Sequence, residues 1–245
     1  MGSLHKGHIS LIKRSLKECG KTIVSIFVNP TQFNSKNDYR KYPRNIRKDL
    51  LILKNLKVNF LYMPKKSDIY NFKRKTSIKL QSKDKILCAK FRKGHFEGVI
   101  DVMERLTKRI KPQKIYMGEK DFQQLYLVKK YIIKKNNAKI VSCKTIRDSN
   151  KFAFSSRNNL LNKTELAKAR KISKTIFSLK KKLTKSKNVK NLLIKKKKEI
   201  INLLNVKVDY LELRNILNLK NSKNTKNSRL FIAYFINKVR LIDNF

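Results

Sequence analysis

Short β-branched runs separated by helix-length amphipathic segments limit the folds open to this chain more than any other feature. Thr22–Val28 (TIVSIFV) is nearly all apolar and reads as a buried strand, and Val58–Tyr62, Lys114–Met117 and Lys139–Ile146 are further strand candidates. Between them lie segments with helical spacing. Residues 8–18 carry Ile9, Ile12 and Leu16, and residues 44–56 carry Ile46, Leu50 and Leu53. Residues 96–110 carry Val99, Val102, Met103, Leu106 and Ile110, and a helix opening at Gly118-Glu119-Lys120-Asp121 carries Leu125, Val128 and Ile132. This alternation predicts a parallel α/β sheet with right-handed crossovers. Ile78, Leu80, Ile86 and Leu87 predict further short strands within 64–90. A domain boundary is expected near 146–150. Beyond it, two lysine-rich helices (163–182 and 188–204) precede three strands, Val208–Arg214, Leu230–Asn237 and Val239–Ile242, with a surface loop over 218–228.

Charge is the next constraint. Lys and Arg number 62 against 16 Asp and Glu, giving a formal net charge of +46. A field this positive draws polyanions. The lysines are nevertheless spread along the chain among many Asn and Ile, and no nucleic-acid-binding module is evident. The excess is read as compositional drift at surface positions, with solvated lysine faces around 129–139 and 180–198, and no specific nucleic-acid partner is expected. With 40% hydrophobic residues the chain has enough apolar material for a core. It contains no apolar run of membrane-spanning length and no secretory apolar block at its start, so no membrane association is expected. Cys19, Cys88 and Cys143 indicate neither a disulfide framework nor a zinc site, which fits a cytoplasmic protein.

The chemistry concentrates in loops at the ends of these elements. Met1-Gly2-Ser3-Leu4-His5-Lys6-Gly7-His8 leads directly into the first helix. A helix N-terminus offers unpaired N–H groups and partial positive charge to phosphate. Gly2 and Gly7 would allow close backbone approach to an anion, and His5 and His8 would add donors from one face. Asn29-Pro30-Thr31-Gln32 turns at the end of a strand, where open parallel sheets hold ligands, making Asn29 and Gln32 candidates for substrate hydrogen bonds. Gly94-His95 repeats the Gly-His pattern at a helix start. Lys120 would meet phosphate and Asp121 a ribose hydroxyl. Ser155, Ser156 and Arg157 supply several phosphate donors within three residues.

Together these blocks resemble the pantoate–β-alanine ligase (pantothenate synthetase) family of the His-x-Gly-His nucleotidyltransferases. The resemblance rests on Met1–His8, Val24–Phe33, Tyr42-Pro43-Arg44, Gly94-His95-Phe96, Gly118–Leu125, Ser155–Asn158, Val208–Arg214 and Leu241–Asn244, in the family's order along essentially the whole chain. It implies ATP-dependent condensation of pantoate with β-alanine through pantoyl adenylate, with Mg²⁺, in a homodimer. The implied fold is a Rossmann-like ATP- and pantoate-binding domain over 1–147 and a smaller α+β lid over 148–245. Carried over position by position, Met1–His8 would line the ATP phosphates, with His8 as proton donor and His5, Lys120 and Arg157 beside it in catalysis. Gly118, Glu119, Lys120 and Asp121 would hold ribose and phosphate. Ile146 would contact adenine, and Phe154, Ser155, Ser156 and Arg157 would form a second phosphate loop. Gln32 and Gln124 would bind pantoate, Gln32 also lying near β-alanine, and Asp49 would serve magnesium. The family has two dozen or more residues before this Met, including a first sheet strand that is apparently missing here. Phe154 stands where an aliphatic is usual, Lys151 where Gly is usual, and Lys48 where an acidic neighbour of Asp49 is usual. The alternatives are another adenylyltransferase of the same superfamily and a truncated, inactive remnant.

Overall fold

The computed structural model describes residues 1–70, 78–132, 137–186 and 188–245. Parts of the expected 64–90 strand region (71–77) and of the lysine faces at 129–139 and 180–198 (133–136 and 187) lie outside the described residues. The chain divides into two compact units, Met1–Thr145 and Ile146–Phe245.

In the first unit, helix α1 (Lys6–Glu18) starts two residues before its expected limit at 8, because His5 caps it with its own side chain. Strand β1 (Ile23–Ser25) follows, then a short helix α2 (Lys36–Lys41), helix α3 (Ile46–Asn55) and strand β2 (Phe60–Tyr62). Asn45 caps α3 by accepting the Lys48 N–H at 3.0 Å. Two one-turn helices, α4 (Lys66–Ile69) and α5 (Cys88–Phe91), lead to α6 (His95–Ile110), β3 (Lys114–Gly118), α7 (Phe122–Ile132) and β4 (Lys139–Cys143). Strand β1 pairs in parallel with β2, and β3 with β4. Among the described residues these are two separate two-stranded ladders.

Two expectations are corrected here. The run Thr22–Val28 is not a buried strand throughout: only Ile23–Ser25 joins a ladder, and Ile23 is 39% exposed opposite Phe60 at 51%. A two-stranded ladder leaves each strand one unpaired edge and little to cover its faces, so an apolar sequence is not buried merely by being apolar. The strands expected from Ile86 and Leu87 are absent; Leu87 has φ +46 and precedes a helical turn instead. Its side chain, 2% exposed, is buried by tertiary packing, a context in which short apolar runs do not distinguish strand from helix.

The core of the first unit has two visible parts. Ile12, Ile26 and Leu53 meet between α1, β1 and α3. On α6 and α7, Val99, Ile100, Leu125 and Val128 are all buried, on the spacing that their sequence sets.

In the second unit a capping box between Asn162 and Glu165 starts helix α8 (Lys163–Leu183), and Asn188 caps α9 (Val189–Leu204). Strands β5 (Lys207–Asn215), β6 (Ser228–Ile236) and β7 (Val239–Asn244) form an antiparallel sheet in that order. Ala169, Ile172, Ile176 and Leu179 of α8 bury one helix face in the same core cluster as Val208, Leu230 and Ile232 of the sheet. Among the described residues no helix is long and apolar enough to cross a membrane.

Candidate active site

The segment before α1 is shaped by protein contacts. Gly2 and Ser3 both take left-handed backbone conformations, with φ +77 and +53. A turn of this kind points neighbouring N–H groups to one side, an arrangement that binds an anion. Here the anion is a side chain. Asp49 of α3 accepts the Ser3 N–H at 2.7 Å and the Leu4 N–H at 2.6 Å, and is 1% exposed. A Cβ on Gly2 would stand 3.1 Å from Asp49 Oδ2 and 3.3 Å from Ile26 Cγ2, so the close approach requires glycine as well as the positive φ. In the ligand-free chain the N–H groups of Ser3 and Leu4 are therefore bonded to α3, and the close approach at Gly2 is to Asp49. Asp49 itself is deeply buried, and each of its oxygens accepts a backbone N–H, so the carboxylate is engaged as an anchor. Among the described residues no group of three or more His, Cys, Asp or Glu could hold a metal ion.

His5 folds back so that its Nδ1 accepts the Gly7 N–H at 3.1 Å. Because Nδ1 is an acceptor, its remaining proton sits on Nε2. The His5 and His8 rings stack, with centroids 4.0 Å apart. Burial first, and then the positive charge of Lys120, push His5 down to about 4. His8 falls well below the usual range, again mainly by burial and then by its neighbour His5. Both rings are therefore neutral at pH 7 in the ligand-free chain. Among the described residues nothing bonds His8 Nδ1, although that atom is buried.

Lys120 and Asp121 lie in the turn Glu119–Asp121 that joins β3 to α7, and Lys120 Nζ stands 3.7 Å from Asp121 Oδ1. Asp121 also acts electrostatically on His5, so four of the expected site residues (His5, His8, Lys120 and Asp121) come together from two chain segments over a hundred residues apart. Gly118 ends β3 with open space where a side chain would be.

Gln32 is buried, and its side-chain nitrogen contacts the Met1 sulfur. Asn29, by contrast, is spent on structure. Its Oδ1 accepts from Thr31 N (3.2 Å), Thr31 Oγ1 (3.0 Å) and Tyr70 Oη (2.7 Å), and its Nδ2 donates to the Gly98 carbonyl at 3.1 Å and to Gln32 Oε1 at 3.3 Å. Asn29 therefore builds the turn that presents Gln32 and has no spare valence for substrate. His95 is a second brace. Its Nδ1 lies 2.6 Å from the Gln32 carbonyl, which can only accept, so the proton is on Nδ1; Nε2 then accepts from Arg92 Nη1 at 2.7 Å. The anion-binding role expected from Gly94-His95 is replaced by this support. The neighbouring glutamines divide in the same way. Gln123 is buried and bonded to Cys88 N (2.9 Å) and the Ile86 carbonyl (2.7 Å), whereas Gln124 is half-buried on α7.

In the second unit, the segment from Ile146 to Phe154 doubles back. Phe154 N donates to the Ile146 carbonyl at 3.1 Å, and Arg147 bridges to Ala153, so Ile146, expected at adenine, and Phe154, expected in the second phosphate loop, are neighbours. Asp148 Oδ1 accepts the N–H groups of Asn150 (2.8 Å) and Phe152 (3.0 Å) at the turn. Ser155 then caps the short helix Ser156–Leu160 by accepting the Arg157 N–H at 3.3 Å. Its hydroxyl proton remains available to a ligand, and Arg157 is half-buried.

Sequence reasoning missed Tyr70 and Arg92 altogether, and it marked Asn29, His95 and Asp49 without their bracing or anchoring roles. Beside short-range bonds such as Arg92 to His95, the contacts that tie these residues to distant segments span 39 to 69 positions, so no local pattern carries them.

The family model for pantoate–β-alanine ligase matches residues 1–245. A pantothenate synthetase of Flavobacterium psychrophilum is 41% identical over 251 residues, covering 100% of this chain and 88% of that protein. The crystal structure of pantothenate synthetase from Thermus thermophilus superposes with a TM-score of 0.93 at 29% identity, over 100% of this chain and 90% of that one. A Francisella tularensis pantoate–β-alanine ligase, crystallised with a β,γ-ATP ligand and β-alanine, gives 0.84 at 38% identity, covering 100% and 86%. These likenesses carry a Rossmann-like domain followed by a carboxy-terminal domain. By sequence and by fold, this chain belongs to the pantoate–β-alanine ligase family.

Proposed function

We propose that the chain joins pantoate to β-alanine at the expense of ATP, yielding pantothenate, AMP and pyrophosphate. The observation that supports this most directly is the cluster of His5, His8, Lys120 and Asp121, with Gln32 against Met1 in the same unit. In the first step a pantoate carboxylate oxygen attacks the α-phosphorus of ATP, and the bond to pyrophosphate breaks. Two anions must meet, so neutralisation and in-line alignment are the main tasks of the protein. Lys120 supplies fixed positive charge, and neutral His5 and His8 supply N–H donors to phosphoryl oxygens. Ser155, Ser156 and Arg157 carry further groups of the kind that donate to phosphate. Gly118 and Asp121 take the ribose, Ile146 contacts adenine and Phe154 belongs to the second phosphate loop, while Gln32 and Gln124 orient pantoate.

In the second step the unprotonated amine of β-alanine attacks the acyl carbon, AMP leaves with the C–O bond electrons, and the nitrogen gives up a proton. His8, neutral and buried, is the group proposed to exchange protons with the phosphate side. Water has to be kept from the acyl adenylate, which is the task proposed for residues 148–245 as a lid domain. Mg²⁺ would neutralise phosphate charge, but the described residues do not build a protein-held site for it, so no step is routed through it. A homodimer is supported by exposed apolar side chains on α3 and β2: Leu50, Leu51 and Phe60. A cytoplasmic location is the setting that fits a biosynthetic ligase fed by ATP.

The test is direct. Purified chain with ATP, pantoate and β-alanine should give pantothenate and AMP in equal amounts. ATP–pyrophosphate exchange should depend on pantoate and not on other hydroxy acids. Exchange driven equally by several acids would favour another adenylyltransferase, and no turnover at all would favour an inactive remnant.

A further inference from the structure

We propose that Asp49 is a positioning residue for the His5–His8 segment, holding the loop that precedes α1 as a tethered anion in a backbone nest. The proposal rests on the functional reading above, in which His5 and His8 meet the triphosphate, but its geometry is independent of it.

The two bonds from Ser3 and Leu4 span 46 and 45 positions, at 2.7 and 2.6 Å, the short distances of charge-assisted contacts. A carboxylate that is 1% exposed has to be satisfied by the protein, and these two N–H groups do so. In return, the carboxylate stabilises the left-handed conformation of Ser3, which an L-residue does not adopt without compensation. With Ser3 and Leu4 fixed on α3, the chain reaches His5 in an extended conformation (φ −137, ψ 174), from which its Nδ1 turns onto Gly7 N. The ring of His5 thereby lies on that of His8 and near Lys120. Asp49 touches no reacting group; it sets where the two imidazoles stand.

Asp49→Asn tests this. The amide keeps one acceptor oxygen and turns an NH₂ toward a backbone N–H. Hydrogen exchange at the Ser3 and Leu4 amides should accelerate at least ~10-fold while the amides of α6 and α7 stay protected. ATP affinity, measured by calorimetry in EDTA, should fall ~10-fold, and KM for pantoate should hold while KM for ATP rises and kcat falls. Gly2→Ala presses on the same bond from the other side and should expose the same two amides, which keeps the test open if Asp49→Asn does not fold. Unchanged exchange at Ser3 and Leu4 in the variants would overturn the proposal. So would full recovery of Asp49→Asn by raised Mg²⁺ or Mn²⁺, the behaviour of a metal ligand. If the unaltered chain makes no pantothenate, the functional reading fails, yet the exchange measurement still decides what Asp49 does.

Discussion

Gly98→Ala is the substitution whose effect the geometry defines most sharply. Gly98 lies inside α6, where alanine would ordinarily gain about 1 kcal/mol of helix propensity. A Cβ at this position would stand 2.5 Å from the Thr31 carbonyl oxygen, 2.8 Å from its carbon and 3.0 Å from Gln32 N, all backbone atoms. Ordinary contact begins near 3.4 Å, so the Pro30–Gln32 turn must retreat by roughly 1 Å. The turn is also held by Asn29 Nδ2 on the Gly98 carbonyl and by His95 on the Gln32 carbonyl, so it cannot move without loosening both. Overpacking of this kind costs about 1–3 kcal/mol, and the propensity gain offsets part of it, leaving about 0–2 kcal/mol of net destabilisation. The functional cost should be larger than the stability cost. A displacement of ~1 Å in a substrate-orienting side chain can lower turnover ~10²-fold. Steady-state kinetics should therefore show kcat/KM for pantoate reduced by about that factor, with KM for ATP within a few-fold of normal. Thermal unfolding should show only a modest loss. A Gly98→Ala enzyme with unaltered pantoate kinetics would refute the placement of Gln32 on a rigid turn.

Other expectations follow from the same geometry. Lys120→Ala and His8→Ala should each lower kcat at least ~10²-fold with the fold retained by circular dichroism, as loss of a preorganised donor does; near-normal turnover in both would undo the assigned chemistry. The His5 imidazole should titrate near 4 by NMR in the ligand-free chain, since burial and Lys120 both disfavour its charge. Between pH 6.5 and about 4 the unfolded chain then binds more protons than the folded one, so His5 contributes a loss of stability as pH falls through that window. An ordinary midpoint near 6.5 would show that the ring is not desolvated. ATP, by bringing negative charge to the same rings, should be taken up together with protons at pH 6, visible as a buffer-dependent binding enthalpy. Lys151 has φ +64 at an exposed turn, so Lys151→Gly should stabilise the second unit by about 1 kcal/mol in thermal unfolding, less whatever its contact over the Phe177 ring contributes.

The sequence by itself determined the order of the longer helices and of the paired strands, because periodicity, caps and breakers act over a few residues. Helices α6, α8 and α9 and the three strands of the second unit lie within about two residues of their expected limits. Lys151, standing where the family usually has glycine, does take a left-handed conformation. The sequence also marked His5, His8, Lys120 and Asp121, since a Gly-His pair before a helix and a charged turn after a strand are local patterns with local causes. Only tertiary structure decided which polar residues are spent on support. Asn29 and Gln32 look alike in sequence, as do Gln123 and Gln124. Asn29 is saturated by Tyr70 and Gly98, and Gln123 by the backbone at Ile86 and Cys88, because those groups arrive from distant segments. Asp49 carried an acidic side chain's usual promise of a metal, and burial against the nest of Ser3 and Leu4 turned it into an anchor. A side chain's chemistry is written in its type, but whether its valences are free depends on what the fold places within three ångströms of it.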